Sequence, residues 1–200
     1  ATAHTLLLPP HTGAVVGLRR TNTDSSKPDP PEQNRADRRG QQAIAKNKEL
    51  LDKAQTCFFG TRAATGAATG PRPMSVQQID AAGHLWFLSA DDSHKNQELA
   101  ADSSVELFFQ GSPHSAFLTL RGAATVTRDK AKIKELWEPI VKTWFTEGVD
   151  DPRITAIAFA PHEGYYWDTK HGIAIAGLKM AVGAAIGKTL DDSIEGTLHL

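Results

Sequence analysis

The chain has 200 residues, with 22 Lys+Arg against 23 Asp+Glu and a formal charge of −1. That length suits one ordinary domain plus a tail, able to bury roughly 70% of its unfolded surface without covalent staples. The charge balance argues against a nucleic-acid binder, which carries a basic excess. The lone cysteine, Cys57, excludes an intramolecular disulfide and a cysteine-based zinc site.

A reducing, cytoplasmic setting is the simplest expectation. No run of about 18 apolar residues reads as a membrane span. Ala1 to Leu8 lacks the basic start and long apolar core of a secretory signal.

Residues 1–35 read as a tail, disordered or loosely docked. Pro9, Pro10, Pro28, Pro30 and Pro31 punctuate it, and the polar run Thr21–Asn34 has neither helical nor strand period. Residues 36–200 form the expected folded domain. From Arg35 to Thr56 the Ala, Gln, Lys and Glu content predicts a helix, with Ile44, Leu51 and Ala54 on one face and Gly40 weakening its first turns.

The period then changes to two. Cys57–Ala63, Arg72–Ile79 and His84–Ala90 read as strands, the last two joined by a short loop in which Gly83 supplies a positive φ. Ser93–Ala101 reads as a short helix with Ser93 as its N-cap. Val105–Phe109 is the next strand, and Gly111-Ser112-Pro113 turns it into a long one, Ser115–Thr127. There Ala116, Leu118, Leu120, Gly122, Ala124 and Val126 occupy a core face.

Asp129–Phe145 shows the clearest helical period, with Ile133, Leu136, Trp137, Ile140, Val141 and Trp144 in phase. Pro139 should kink or split it. The two tryptophans read as core packing. Arg153–Ala160 is a strand that Pro161 is expected to break, resuming over Glu163–Thr169. Residues 173–187 are small, apolar and ambiguous, and Thr197–Leu200 adds a last short strand. Six or more short strands with a few helices imply a β-barrel with helical additions.

Few motifs carry chemistry. Gly183 to Thr189 imitates a phosphate loop but is one residue short between its glycines, so its amides cannot wrap a phosphate chain in the usual way. No dinucleotide fingerprint or serine-hydrolase elbow occurs, and the histidines lack ligand spacing. Cys57, opening an apolar strand, reads as a small core residue. What remains is an anion pattern. Arg72 at a strand start, with Ser93 and Lys95 at a helix N-terminus, supplies the cations, hydroxyl and amides that a phosphomonoester needs. Trp86, Phe87 and Trp167 could flank a flat aromatic ring.

Several segments carry a resemblance. They are Arg72-Pro73-Met74-Ser75, the Gly83 turn, Leu85-Trp86-Phe87, Asp92-Ser93-His94-Lys95 and Gly122-Ala123-Ala124. Trp137 with Trp144-Phe145, Asp150-Asp151-Pro152 and Tyr165-Tyr166-Trp167-Asp168 complete the series. In order and spacing, residues from about 40 to 200 resemble the pyridoxamine 5′-phosphate oxidase-like flavin-binding split-barrel family, and within it the bacterial general stress branch.

The resemblance implies a mainly β fold, a six-stranded antiparallel Greek-key split β-barrel. It also implies a homodimer with FMN at the subunit interface, with FAD as the alternative flavin, and no nucleic-acid or membrane partner. The implied cofactor-binding set is Arg72, Pro73, Met74, Ser75, Phe87, Leu88, Ser89, Ser93, His94, Lys95 and Trp167. Arg72 and Lys95 would contact the phosphate, Ser93 would donate to it, residues 72–75 would lie along the flavin, and Phe87–Ser89 would support the ribityl-phosphate end. Trp167 would approach the ring from the partner subunit.

The oxidases proper carry a lysine five residues after the arginine for the substrate phosphate; here that position is Gln77. The helix 129–145 also lacks their Tyr, Arg and Ser set. The expected function is therefore a flavin-dependent oxidoreductase of the general stress type. A non-enzymatic flavin-binding stress or sensor protein is the alternative, and vitamin B6 oxidase activity is disfavoured.

Overall fold

The computed structural model describes residues 34–62, 70–172, 176, 178, 179, 181 and 192–200. The expected tail up to residue 33, the linker 63–69 and the loop-like Gly183–Thr189 lie outside the described residues, as does most of the ambiguous stretch 173–187. In chain order the elements are β1 (Arg38–Arg39), α1 (Gln41–Leu51), β2 (Thr56–Thr61), β3 (Arg72–Ser75), β4 (Gln78–Ile79) and β5 (Leu85–Ala90). They continue with α2 (His94–Ala101), β6 (Ser104–Gln110), β7 (Phe117–Thr127), α3 (Lys130–Leu136), β8 (Ile154–Thr169) and β9 (Ser193–His199), with short 3-10 turns at Pro139–Thr143 and Gly148–Asp150.

The fold is the expected mainly β split barrel with helices. Strands run in the order β1-β9-β8-β7-β6-β2-β3, and β5 joins on β8 with β4 beside it. All pairings are antiparallel except the two-residue β1 against β9. Alternation sets the inside: Leu118, Leu120, Gly122 and Ala124 of β7 are buried, as their period of two requires. Phe59 of β2 and Phe87 of β5, both fully buried, meet edge to face with ring centres 5.3 Å apart. Each such ring contributes roughly 1.5–3 kcal/mol by leaving water.

Pro161 does not break β8, which runs unbroken from Ile154 to Thr169. The strand pairs β7 between residues 156 and 167, while its other edge pairs β5 over residues 154–159 and β9 over 163–169. Pro161 sits at the changeover, opposite a register shift between Arg121 and Gly122, where a missing N–H is tolerated. A Cβ on Gly122 would come 2.1 Å from the Ala160 carbonyl, so only glycine permits this close approach.

Two of the expected helices are corrected in part. The first helix spans 41–51 rather than 35–56, because Gly40 with φ 53° turns the chain out of β1 at that point. Its buried residues are Ala43, Asn47, Leu50 and Leu51, while Ile44 is exposed. The third helix is split at Pro139 as expected: it stops at Leu136, and Pro139 starts a 3-10 turn. The break resets the helical phase, so Ile140 and Trp144 face solvent and Phe145 is buried with Val141 instead. Trp144 is thus not a core residue.

Asn34 and Arg35, placed in the tail by composition, are held by the fold. Asn34 is buried and Arg35 bridges Glu195 on β9. Next in the chain, Ala36 donates its N–H to the Glu195 carbonyl at 2.7 Å, and the Tyr166 hydroxyl donates to the Ala36 carbonyl at 2.7 Å.

Candidate functional site

The end of β5 and the start of α2 form one corner. Ser93 has extended backbone, and its hydroxyl accepts from the Asn96 N–H at 3.2 Å, which makes it the expected N-cap. The first amides of α2 have no intrahelical acceptor and point out of the helix end, where an anion is favoured. Helical spacing turns Lys95, Asn96, Glu98 and Leu99 inward, whereas His94 is exposed.

Lys95 is only 7% exposed, and its one hydrogen bond among the described residues is to the Ser89 hydroxyl at 2.6 Å. The Ser89 and Ser93 hydroxyls lie 3.1 Å apart. Burial, and then the charge of Arg72, push the Lys95 ammonium down to about 8, against the opposite pull of Glu98. Below that pH the site holds a buried cation with a neutral partner, a state that an incoming anion stabilises.

Arg72, at the start of β3, faces the same corner. Its guanidinium grips the Glu98 carboxylate at two points, Nη2 to Oε1 at 2.8 Å and Nη1 to Oε2 at 2.7 Å. Nη1 also donates to the Thr61 hydroxyl at 3.0 Å, and that hydroxyl donates to Glu98 Oε2 at 2.5 Å. Among the described residues β3 pairs only with β2, which makes it an edge strand of the described sheet. Pro73, which lacks an N–H, is at home in such a strand.

The structure thus gathers Arg72, Ser89, Ser93 and Lys95. Others of the expected set are placed differently. Phe87 is fully buried in the barrel, so its side chain cannot flank a ligand ring; only its backbone lies along β5. Leu88 packs with Trp86 against a second apolar cluster around Ile133 and Leu136. The Trp86 indole N–H donates to Asp80 at 2.9 Å, and Lys132 lies 4.4 Å from its ring, so it braces the β4–β5 hairpin. His94 turns to solvent, while Pro73 and Ser75 are exposed on β3 and Met74 packs on the core. Trp167 lies on the outer face of β8, 47% exposed, 4.5 Å from Tyr165 ring to ring.

Sequence reading missed Glu98 and Thr61. The one signal was spacing: Glu98 sits three residues after Lys95, on the same inward helix face, and a buried carboxylate demands a cation. The residue that answers the demand is 26 positions away.

A second charged cluster lies on α1. Lys46 contacts Asp168 at 2.7 Å and Glu49 at 3.0 Å, and Lys53 contacts Glu49 at 2.8 Å and Asp168 at 3.5 Å. It borders a cavity of about 540 Å³, which Ser112, Ser115 and Lys170 also line. Burial raises the Asp168 carboxyl, but the hydrogen bonds from Lys46 and the Thr169 amide outweigh it and hold the group below its ordinary value.

Residues 42–191 match the model of the family described as pyridoxamine 5′-phosphate oxidase like. The chain belongs to that family. Solved structures place the oxidase-like chain among known split barrels. One is a chain from Jannaschia sp. CCS1 named for general stress protein 26. It is 22% identical, with TM-score 0.64 over 78% of this chain and 99% of that one. Another is a Clostridium acetobutylicum protein related to general stress protein 26 of the pyridoxinephosphate oxidase family. It is 22% identical, with TM-score 0.53 over 62% of this chain and 86% of the other. A third is the general stress FMN/FAD binding protein of Xanthomonas citri. It is 23% identical, with TM-score 0.54 over 62% and 87% of the two chains. At these identities the likeness shows the shared fold. No curated protein matches the chain.

Among the described residues no helix is long and apolar enough to cross a membrane. Nor does any group of three or more His, Cys, Asp and Glu side chains among them stand close enough to hold a metal ion.

Proposed function

We propose that this protein binds FMN, with FAD as the alternative flavin, and acts as a flavin-dependent oxidoreductase of the general stress type. The carrying observation is Lys95, a buried ammonium bonded to a neutral hydroxyl at the N-terminus of α2, with the Arg72 guanidinium nearby. A phosphate monoester there would meet Lys95, the Ser89 and Ser93 hydroxyls and helix amides. The open edge of β3 would then offer backbone groups to the polar rim of a flavin, with Pro73 to Ser75 alongside. The flavin supplies the redox chemistry; the chain binds and orients it. That a structurally similar Xanthomonas citri protein is named for FMN/FAD binding supports the choice of ligand.

A second copy of the chain completes the reading. Phe58 and Phe108 stand directly opposite on β2 and β6 and are 57% and 41% exposed. Phe117 and Trp167 form a neighbouring pair on β7 and β8. Aromatic side chains on a strand's solvent face cost stability unless covered, and a symmetric partner would cover them. A flavin site shared between subunits is half a groove on one chain, and the partner would supply the other half. Gln77, in place of the oxidase lysine, spends its amide on the Ser75 carbonyl at 3.2 Å and adds no charge for a substrate phosphate. This disfavours vitamin B6 oxidase activity.

The test is the visible spectrum of the purified protein, then titration of apoprotein with FMN and with riboflavin. The expected result is a bound flavin and a marked preference for FMN; equal affinities would overturn the phosphate site. Replacing both Phe58 and Phe108 with Asp is expected to leave a folded monomer by sedimentation, with FMN retention lost.

A further inference from the structure

The reading above uses Arg72 and Lys95 as cations and leaves Glu98 without a role. This carboxylate is 1% exposed, and it takes both ends of the Arg72 fork as well as the Thr61 hydroxyl. The pairing of this guanidinium with Glu98 is charge-assisted at both contact points. An anion approaching Arg72 therefore meets a cation already neutralised, and a buried negative charge just behind it. Lys95 differs: its bond goes to a neutral hydroxyl. The charged groups facing Lys95 are Arg72 from β3 and Glu98 from its own helix. β5 presents the neutral Ser89 and Ser93 follows it.

We propose that Glu98 is a built-in competitor for Arg72, a counter-charge that holds the site's affinity for phosphate monoesters below what its two cations alone would give. The inference rests on the anion-site reading. Its physical basis is that charges in a dry corner act on one another with little screening. The attraction of Arg72 for a phosphate and the repulsion of Glu98 act over similar distances and oppose each other. With Arg72 in place the two nearly cancel, and Lys95 supplies the net attraction. With Arg72 removed, Glu98 loses its two-point guanidinium partner, and its repulsion of the ligand is no longer offset by that charge. The two cations thus act differently: loss of Lys95 removes the net attraction itself, whereas loss of Arg72 leaves the Glu98 repulsion working against Lys95, a loss that also removing Glu98 relieves.

A double-mutant cycle tests this. FMN, riboflavin and inorganic phosphate are titrated against the full chain, Arg72→Gln, Glu98→Gln, the Arg72→Gln/Glu98→Gln pair, and Lys95→Ala. Arg72→Gln is expected to weaken FMN at least a hundredfold, and the double variant to recover at least tenfold of that, with riboflavin equal in all. Glu98→Gln alone should bind FMN and phosphate about tenfold more tightly than the parent. Removing one partner of a buried pair can prevent folding; should Arg72→Gln fail to fold, Glu98→Gln decides the matter, and FMN binding no tighter than the parent's then overturns the competitor role. A double variant that binds FMN no better than Arg72→Gln, or riboflavin affinities that move in parallel, overturns the competitor role. Lys95→Ala with unchanged FMN affinity overturns the anion site itself, as does a parent protein that binds neither FMN nor phosphate, and the competitor falls with it.

Discussion

At α1, Lys46 and Lys53 alternate with Glu49 and Asp168 in a ring where every charge touches its opposite. At α2, the Arg72 guanidinium and the Thr61 hydroxyl hold the Glu98 carboxylate, whereas Lys95 bonds a neutral hydroxyl. Both clusters tie a helix to the same barrel, yet their balance differs. The ring is neutral and self-satisfied, so it fastens α1 to the end of β8 and asks for no ligand. Among the described residues the α2 corner sets two cations against one carboxylate in a place that water reaches poorly, a balance that costs stability and that an anion offsets. Charge count and burial together, rather than the presence of lysines in a hollow, separate a fastening from a binding site. A cavity of about 540 Å³ lies beside the fastening.

The difference is sharpest in mutants that remove one charge from each region. Lys95→Ala should weaken FMN by about 1.5–3 kcal/mol, the range for hydrogen bonds to charged groups, and leave riboflavin unchanged in fluorescence-quenching titrations. Asp168→Asn should instead lower the stability of the fold by about 1–3 kcal/mol, read as a fall in Tm, with FMN affinity intact. A loss of FMN affinity in that variant would mean the two regions are coupled.

The pH dependences also diverge. Lys95 titrates near 8 in the fold, below the ordinary 10.5 of a lysine, so the apoprotein carries a cost while both states are protonated. As pH rises from about 8 toward 10.5 the unfolded chain holds the extra proton, and apoprotein stability rises. FMN affinity should fall over the same climb, because the ligand prefers the charged lysine. Asp168 runs the other way: held below its ordinary 3.8, it contributes fully above that value, and the contribution is lost as pH falls through the depressed one. Denaturant melts and FMN titrations across pH check both signs. The smallest effect belongs to Arg121, which is 60% exposed and pairs with Glu106 at 2.8 Å and Glu163 at 3.1 Å. Arg121→Ala should change stability by less than about 1 kcal/mol, since water and salt screen such pairs.

Much of this architecture was legible along the chain. The alternation in β7, the Ser93 cap and the turn at Gly83 are local signals, set by backbone geometry within a few residues, and they stand as read. Arg72, Ser93 and Lys95 could be named because strand starts and helix starts are where anion groups collect. The misreadings share a cause. Pro161 reads as a breaker unless one knows that β8 exchanges β5 for β9 at that point. Trp144 reads as core unless the phase reset at Pro139 is seen, and Phe87 reads as a ring neighbour until its strand is known to face inward.

From sequence alone came the strand-rich class, the family resemblance, the cap of α2 and the residue types able to hold a phosphate, because propensity, capping and periodicity act between near neighbours. Only the tertiary structure decided that Arg72 spends its charge on Glu98 while Lys95 keeps its own. That partition depends on which side chains β3, β5 and α2 bring within hydrogen-bond reach, and Coulomb's law counts distance in space rather than along the chain.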